Sequence, residues 1–244
     1  MKLSQSLIYT LPFLHSAAAQ GGGMVGLPWT VSNVPETGLE EITFPIDISA
    51  SPHERGFYFA QQFNFVGAPD VGYTGLQPRA DINGQPIIHA AFSSFNAGTT
   101  SDDENCSDGA DGGAGVSCAI DIVSPYEHQY LLLVENTQGT TWVGTLVDAV
   151  SGNGTRVGSW TLPGGSKGIK GSQLGFVELY AWNDGKSEHV CADVPKHGVT
   201  FGEPVAEGYE GSLGVPYEYG DCVGEIQYEA HTTADGAVAI TVGY

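Results

Sequence analysis

The sequence predicts an all-β protein, a two-sheet antiparallel sandwich of jelly-roll or lectin type. Apolar and polar residues alternate over many short segments, which is the period of a half-buried strand. The chain contains 35 glycines, which suit tight turns between such segments. We find neither an amphipathic helical period nor a heptad repeat. About ten to twelve strands at this spacing are typical of a sandwich.

The first residues have the layout of a secretory signal peptide. Lys2 precedes an apolar run from Leu7 to Leu14, and three small residues, 17–19, follow it. We expect cleavage before Gln20 and a secreted, extracellular protein. Residues 1–19 are then the signal peptide, residues 20–41 an N-terminal arm, and residues 42–244 a single sandwich domain.

The formal net charge of −20 restricts the partners of the chain. A negative field of this size repels phosphate backbones and anionic membranes. We therefore expect no nucleic-acid partner and no membrane partner. We also expect the protein to be a monomer.

Four cysteines follow the signal-like segment, and an even number in an exported chain predicts disulfides. Four cysteines allow three connectivities, of which pairing between nearest neighbours is our prediction: Cys106 with Cys118, and Cys191 with Cys222. Asn153 begins an Asn-Gly-Thr sequon in a turn between strands, so we expect it to be glycosylated.

The segment from Phe57 to Phe95 combines the strongest strand signals with most of the candidate site chemistry. Its first strand, FYFAQQFNF, places four phenylalanines on one face, which we assign to the core. VGYTGLQ and PIIHAAFSSF read as two further strands, and Asn83-Gly84 is a strong turn signal between them. Arg79 and His89 flank this connection. The face opposite the phenylalanines carries Tyr58, Gln62 and Asn64.

A later segment, Leu174–Trp182, also alternates. It predicts a strand with Val177 and Leu179 facing the core. The opposite face then carries a carboxylate between aromatic rings: Phe176, Glu178, Tyr180 and Trp182.

Several motifs together carry a resemblance: FYFAQQFNF, GYTGLQPR, HAAFSSF, GADGGAGVSC, WVGTLVD, RVGSWTLP and GFVELYAW. The chain resembles a family of secreted bacterial and fungal domains known only as a domain of unknown function, over roughly Phe57 to Trp182. This resemblance implies a β-sandwich that acts at extracellular polymers or cell surfaces. It implies no activity that could be carried over to particular residues.

The acidic loop after Phe95 has two interpretations. Calcium takes six to eight oxygen ligands, and carboxylates among glycines can supply them. The alternative is a solvated loop held by its disulfide. We expect no cofactor, with calcium as the alternative, and its candidate ligands are Asp102, Asp103, Asp108 and Asp111.

Two catalytic hypotheses involve the central segment. Arg79, His89 and Tyr180 have the side-chain types that a polysaccharide lyase uses for charge neutralisation and proton transfer. The alternative is a turn-fixing ion pair and an ordinary strand histidine. Glu178 would suit a glycosidase, but that mechanism needs a second carboxyl, for which Asp148 and Glu135 are arbitrary choices.

A binding surface without catalysis is the fourth hypothesis, and ordinary sheet packing is its alternative. Aromatic rings interleaved with amides bind sugar faces and hydroxyls. The sequence therefore predicts a secreted protein that binds, or acts on, an extracellular or cell-wall polysaccharide, with a lyase or a non-catalytic host-interaction protein as alternatives. If it is an enzyme, we expect a lyase before a glycoside hydrolase. The residues assigned to the ligand are Tyr58, Gln62, Asn64, Gln77 and Trp182.

Overall fold

The computed structural model describes residues 22–184 and 188–244. The predicted signal peptide lies outside the described residues. The described part of the chain contains sixteen strands and two 3₁₀ turns, Tyr180–Asp184 and Cys191–Asp193. The strands are β1 Gly23–Val31, β2 Glu41–Asp47, β3 Phe57–Asn64, β4 Val71–Ile82, β5 Gln85–Ser94, β6 Cys106–Ala110, β7 Gly113–Val123, β8 Gln129–Gln138, β9 Thr141–Asp148, β10 Gly154–Thr161, β11 Ser172–Leu179, β12 His197–Phe201, β13 Gly211–Leu213, β14 Tyr217–Glu218, β15 Tyr228–Thr232 and β16 Val238–Val242.

Two antiparallel sheets pack as a sandwich, which confirms the predicted fold class. One sheet has nine strands in the order β13-β1-β11-β3-β4-β5-β7-β6, with β14 paired to β1. The other has seven strands in the order β10-β9-β8-β2-β12-β16-β15. The candidate site belongs to the nine-stranded sheet.

The core lies between the sheets and is rich in aromatic rings. Phe57, Phe59, Phe63 and Phe65 are all fully buried there, as the alternation of β3 predicts. Their rings meet aromatic residues of neighbouring strands, for example Phe65 against Trp142 at 4.9 Å between ring centroids. Burial of such rings is the main favourable contribution to folding.

The predicted N-terminal arm is wrong for residues 23–31. They form β1, which pairs with β11 along its length and is almost entirely buried. Two glycines in this strand make room for tyrosines of a later segment. A Cβ on Gly23 would lie 2.1 Å from the Tyr219 ring, and one on Gly26 would lie 2.6 Å from the Tyr217 ring.

Both predicted disulfides form, Cys106–Cys118 and Cys191–Cys222. The first joins directly opposite residues of β6 and β7. In residues 22–184 and 188–244 no helix is long and apolar enough to cross a bilayer.

Candidate functional site

A row of polar side chains crosses the outward face of the nine-stranded sheet. Glu178 pairs with Tyr58, Gln77 with His89, and His89 with Asp121, while the register of β3 and β4 sets Tyr58 beside Gln77. Directly opposite residues of antiparallel strands point to the same face. These five residues, which we call the polar row, therefore all face away from the sandwich core.

Four residues of the polar row, all except Asp121, line a cavity of about 650 Å³, which we call the site cavity. The β6–β7 hairpin contributes Asp111 to its wall, and the 3₁₀ turn after β11 contributes Tyr180 and Asn183. Asp111 has φ 47°, so the hairpin turns sharply at this residue. The remaining lining residues are Tyr73, Ala91, Ser93, Phe95, Ala110, Gly113, Ser117, Cys118 and Ala119.

Aromatic residues beneath the cavity pack on one another and are buried. The solvent-exposed fractions of Tyr58, Tyr73 and Phe176 are only 8%, 7% and 5%. The Phe176 ring meets Tyr58 at 5.7 Å and Tyr73 at 5.3 Å, both edge to face. The predicted flat aromatic binding surface is therefore wrong, because these rings form a second apolar cluster instead of an exposed strip.

Glu178 is the buried carboxyl of the site, with 5% exposure. The Asn183 side-chain amide donates a hydrogen bond to Glu178 Oε1. Asn183 Oδ1 accepts a hydrogen bond of 3.1 Å from the Gly22 backbone N–H, which fixes the orientation of the amide. Asn183 contacts Glu178 Oε1, so Glu178 Oε2 is the carboxyl oxygen to which a substrate or a water molecule could bind.

Burial raises the pKa of Glu178 to about 7, the Asn183 hydrogen bond opposes this shift, and the Asp111 charge adds to it. The cost of leaving a carboxylate in a poorly solvated site favours its neutral form. A carboxyl with a pKa near 7 can both accept and return a proton near neutral pH.

The neighbouring tyrosines stay protonated. Burial, together with the charges of Asp111 and Glu178, raises the pKa of Tyr58 well above its usual value. The pKa values of Tyr73 and Tyr219 are raised by burial and by the Glu178 charge. Their hydroxyls are therefore hydrogen-bond donors at any physiological pH.

Arg79 lies at the other end of the polar row and is surrounded by partners. Its Nη2 donates to Gln77 Oε1 at 2.7 Å, and its Nη1 donates to the Tyr180 hydroxyl at 3.3 Å. Its Nε lies 3.9 Å from Asp121 Oδ1, which is 2.7 Å from His89 Nδ1. The sequence analysis selected Arg79, His89, Tyr180 and Glu178 as catalytic. His89, Tyr180 and Glu178 line the site cavity, and Arg79 lies behind it, hydrogen-bonded to the lining residues Gln77 and Tyr180.

Burial and the Arg79 charge lower the pKa of His89, against the opposing hydrogen bond to Asp121. His89 is therefore neutral at neutral pH. A neutral ring close to Arg79 avoids adding a second positive charge at this end of the cavity.

Three of the predicted ligand residues lie outside the site cavity. Gln62 is 1% exposed, and its backbone carbonyl accepts a 3.0 Å bond from the Trp29 indole. The Asn64 side-chain oxygen accepts a hydrogen bond from the Gln173 side-chain amide. Trp182 belongs to the 3₁₀ turn instead of a strand, and its ring stacks on His189 at 4.5 Å. The strand was predicted to continue to Trp182, but β11 ends at Leu179.

The candidate calcium ligands are not gathered at one point. Asp102 and Asp103 line a separate cleft, where Arg156 Nε lies 2.7 Å from Asp103 Oδ2. Asp108 is exposed on β6, and Asp111 lines the site cavity. Within the described residues no group of three or more His, Cys, Asp or Glu could hold a metal ion. Calcium binding by this loop stays a prediction for which the structure offers no preformed cage.

The two carboxyls considered as partners for Glu178 both belong to the seven-stranded sheet. Asp148 lies 2.9 Å from His128, and Glu135 pairs with Glu41 on β2. Neither lines the site cavity, so both choices are wrong. Asn153 is exposed in the turn before β10, and its glycosylation stays a prediction.

Sequence reasoning missed three parts of the site. Tyr73 shares a face with Gln77 in the alternation of β4, a signal that could have identified it. Asn183 and Tyr219 come from turns, where no periodicity relates a residue to the sheet face.

No family model matches the sequence, and no curated protein matches it. The resemblance to a domain of unknown function therefore stays a prediction. Solved structures do show likeness. One is Scytalido-glutamic peptidase with a peptide-based transition-state analog, 12% identical, with a TM-score of 0.46, covering 91% of this chain and 98% of that chain.

A second solved structure is SCP-B, a member of the eqolisin family of peptidases, in complex with the tripeptide Ala-Ile-His. It is 11% identical, with a TM-score of 0.42, and covers 91% of this chain and 98% of that one. Both of these structures are of peptidases, and this finding contradicts the predicted polysaccharide-binding or polysaccharide-cleaving protein.

Proposed function

We propose that this protein is a hydrolase that cleaves peptide bonds, with Glu178 as the residue that accepts and returns the proton. The observation that carries the proposal is a carboxyl of 5% exposure, with a pKa raised to about 7, facing a cavity of about 650 Å³. Identities of 11% and 12% to solved peptidases cannot carry it. It depends on the chemistry of this chain's own residues.

The proposed reaction begins with a water molecule held by Glu178 Oε2. The water oxygen attacks the carbonyl carbon of the substrate while its proton passes to the carboxylate, and the carbonyl oxygen becomes an oxyanion. Glu178 then gives the proton to the leaving nitrogen, the carbon–nitrogen bond breaks, and the carboxyl is ionised again. One carboxyl therefore serves as base and then as acid.

The oxyanion needs a hydrogen-bond donor that is already in place. Gln77 is suited to this role, because Arg79 occupies its Oε1 and leaves the Nε2 amide hydrogens for the cavity. Tyr58 lies between Glu178 and Gln77 in the polar row, and its hydroxyl stays protonated. A substrate carbonyl lying across Tyr58 would contact the base on one side and the donor on the other.

Acyl transfer fits the hydrogen-bonding groups that line the site cavity. Attack on an amide needs one acid–base group and one oxyanion donor. Amide groups and tyrosine hydroxyls, which line this cavity, both donate to and accept from the backbone of a peptide.

Secretion is part of the proposal. The leader-like residues 1–19, the two disulfides and the net charge of −20 all suit an extracellular hydrolase.

The experiment is digestion of a denatured protein mixture by the purified chain between pH 3 and 8, with the products identified by mass spectrometry. We expect new peptide termini with the wild-type protein and none with Glu178→Gln, which keeps the shape but cannot take the proton. Glu135→Gln, on the other sheet, is the matched control and should cleave like wild type. Absence of cleavage by the wild-type protein at every pH, or unchanged cleavage by Glu178→Gln, would refute the proposal.

A further inference from the structure

Gln77 can serve as an oxyanion donor only if its amide is held in one orientation. A glutamine amide presents an acceptor oxygen and a donor nitrogen of nearly equal size, and only its partners decide which one faces the ligand. Gln77 is half-buried on β4 and faces the site cavity. The neighbour that distinguishes its two ends is Arg79.

We infer that Arg79 is a positioning residue, whose guanidinium holds the Gln77 amide so that Nε2 points at the substrate carbonyl. This inference rests on the proposed function and adds a residue to it. Arg79 Nη2 donates to Gln77 Oε1 at 2.7 Å. A flipped amide would set its NH₂ group against the guanidinium, donor against donor, and the bond would be lost.

The guanidinium is itself held on three sides. Its Nη1 donates to the Pro78 carbonyl at 3.2 Å and to the Tyr180 hydroxyl at 3.3 Å. Its Nε lies 3.9 Å from Asp121 Oδ1, and the side chain is only 11% exposed. A planar group with fixed donors loses little freedom in such a setting, so it positions a neighbour better than a lysine ammonium would.

The backbone of Arg79 is fixed as well. Its N–H donates a hydrogen bond of 2.8 Å to the Tyr126 hydroxyl. That hydroxyl in turn donates a hydrogen bond of 2.8 Å to the Ile87 carbonyl oxygen. Tyr126 is fully buried. Both ends of the arginine are therefore held, and Gln77 is positioned by a rigid support.

Arg79 does not need to touch the substrate in order to act. Its guanidinium donates to Gln77, Tyr180 and Pro78, and its charge faces Asp121. Loss of Arg79 should let the Gln77 amide rotate, which removes a donor that matters in the transition state but not in substrate binding.

The kinetic test compares Arg79→Gln, Arg79→Lys and the control Arg55→Gln, which replaces an exposed arginine near His89. For Arg79→Gln we expect kcat to fall about 10- to 100-fold with KM within about twofold, since an oxyanion donor is misplaced. Arg79→Lys should recover part of the loss, and Arg55→Gln should match wild type. A rise in KM with unchanged kcat would mean that Arg79 binds substrate, and the inference would be wrong.

A double-mutant cycle separates positioning from a general structural role. If Arg79 acts through Gln77, the double variant Gln77→Ala with Arg79→Gln should be no slower than Gln77→Ala alone. If the double variant instead shows a decrease in kcat equal to the product of the two single decreases, the inference is contradicted.

A second readout does not depend on activity. In ¹⁵N-labelled protein the side-chain amide signals of Gln77, assigned from their loss in Gln77→Ala, should shift and broaden in Arg79→Gln and stay in place in Arg55→Gln. If wild-type protein cleaves nothing, the proposed function fails, while this spectrum still decides whether Arg79 holds the amide. Unmoved Gln77 signals in a folded Arg79→Gln variant would overturn the inference outright.

Discussion

At the scale of single residues, the candidate site depends on the opposing influences on Glu178. Burial raises the pKa of this carboxyl, and the hydrogen bond from Asn183 pulls in the other direction. The outcome, about 7, leaves the group neutral or charged with nearly equal ease at neutral pH. The folded protein with a partly ionised carboxyl at this buried position is less stable than the same protein with a neutral amide there. This difference in the free energy of unfolding can be measured.

Glu178→Gln should stabilise the protein at pH 8 but not at pH 4. The folded pKa of about 7 lies above the reference value of 4.5, so the folded state binds more protons between these values and loses stability as pH rises through them. A shift of this size corresponds to roughly 3 kcal/mol. Urea unfolding of both proteins at the two pH values measures it, and equal differences at pH 4 and pH 8 would show that burial does not control this carboxyl.

The pH dependence of kcat/KM should follow the ionisation of Glu178. The carboxylate form takes the proton from water, so the rate should rise with pH with a midpoint near the Glu178 pKa of about 7. Asp111→Asn removes a charge that raises this pKa and should move the midpoint to lower pH. Asn183→Ala removes a bond that lowers it and should move the midpoint to higher pH.

These two opposite shifts are a stringent check, because general damage to the site would lower the rate without moving the midpoint in opposite directions. Asp102→Asn, in a separate cleft, is the matched control and should leave the midpoint unchanged. A common direction for Asp111→Asn and Asn183→Ala would rule out the electrostatic account of Glu178.

At the scale of elements, the end of β11 decides the geometry. The strand stops at Leu179 because the next backbone groups find partners elsewhere. Leu179 N–H donates to the Gly22 carbonyl at 2.7 Å, and Tyr180 N–H donates to the Gly56 carbonyl at 2.9 Å. The chain then turns through a 3₁₀ segment that returns Asn183 to the side of Glu178.

The β4–β5 hairpin is the second such element, and Tyr126 connects its two strands beneath Arg79. Tyr126→Phe should destabilise the protein by about 1–3 kcal/mol, since it leaves buried backbone groups of Arg79 and Ile87 without their partner. It should also lower kcat, because Arg79 loses its backbone support. Chemical unfolding and kcat are measured for Tyr126→Phe and for the control Tyr217→Phe, which changes an exposed tyrosine and should match wild type in both. Equal stability of Tyr126→Phe and wild type would contradict this role.

At the scale of the whole molecule, the nine-stranded sheet is covered on both faces. One face meets the other sheet, and the outward face carries the aromatic cluster around Tyr58 and Phe176. The β6–β7 hairpin and the segment that contains Tyr219 close over this second cluster. A solvent-exposed sheet face cannot desolvate a carboxylate, so this second cover is what makes the chemistry of Glu178 possible.

The inter-sheet core should supply most of the stability. Phe59→Ala should destabilise the fold by about 3–5 kcal/mol, as truncation of fully buried aromatic residues does. Ile82→Ala, at the exposed hairpin end of β4, should change stability by less than about 0.5 kcal/mol. Guanidinium unfolding of the two variants gives both values. A Phe59→Ala cost below that of Ile82→Ala would place the core elsewhere.

The sequence by itself determined the sandwich, the phenylalanine face of β3 and both disulfides, since each follows from local alternation or from pairing of near neighbours. It also selected Arg79, His89, Tyr180 and Glu178, because polar side chains on alternating strands must leave the core. That these four residues lie close together at one site depends on strand order. Glu178 and Tyr58 are far apart in the chain and become neighbours only when β11 pairs with β3.

Tertiary structure alone decided the chemistry of these residues. Burial beneath the β6–β7 hairpin packed Tyr58 against Tyr73 and Phe176 instead of leaving an exposed aromatic strip, and it raised the pKa of Glu178. Asn183 reaches the carboxyl from the turn after β11, and Gly22, at the start of the described chain, holds the Asn183 amide. Solvent exclusion and long-range hydrogen bonds are properties of the assembled fold, so no pattern within one segment encodes them.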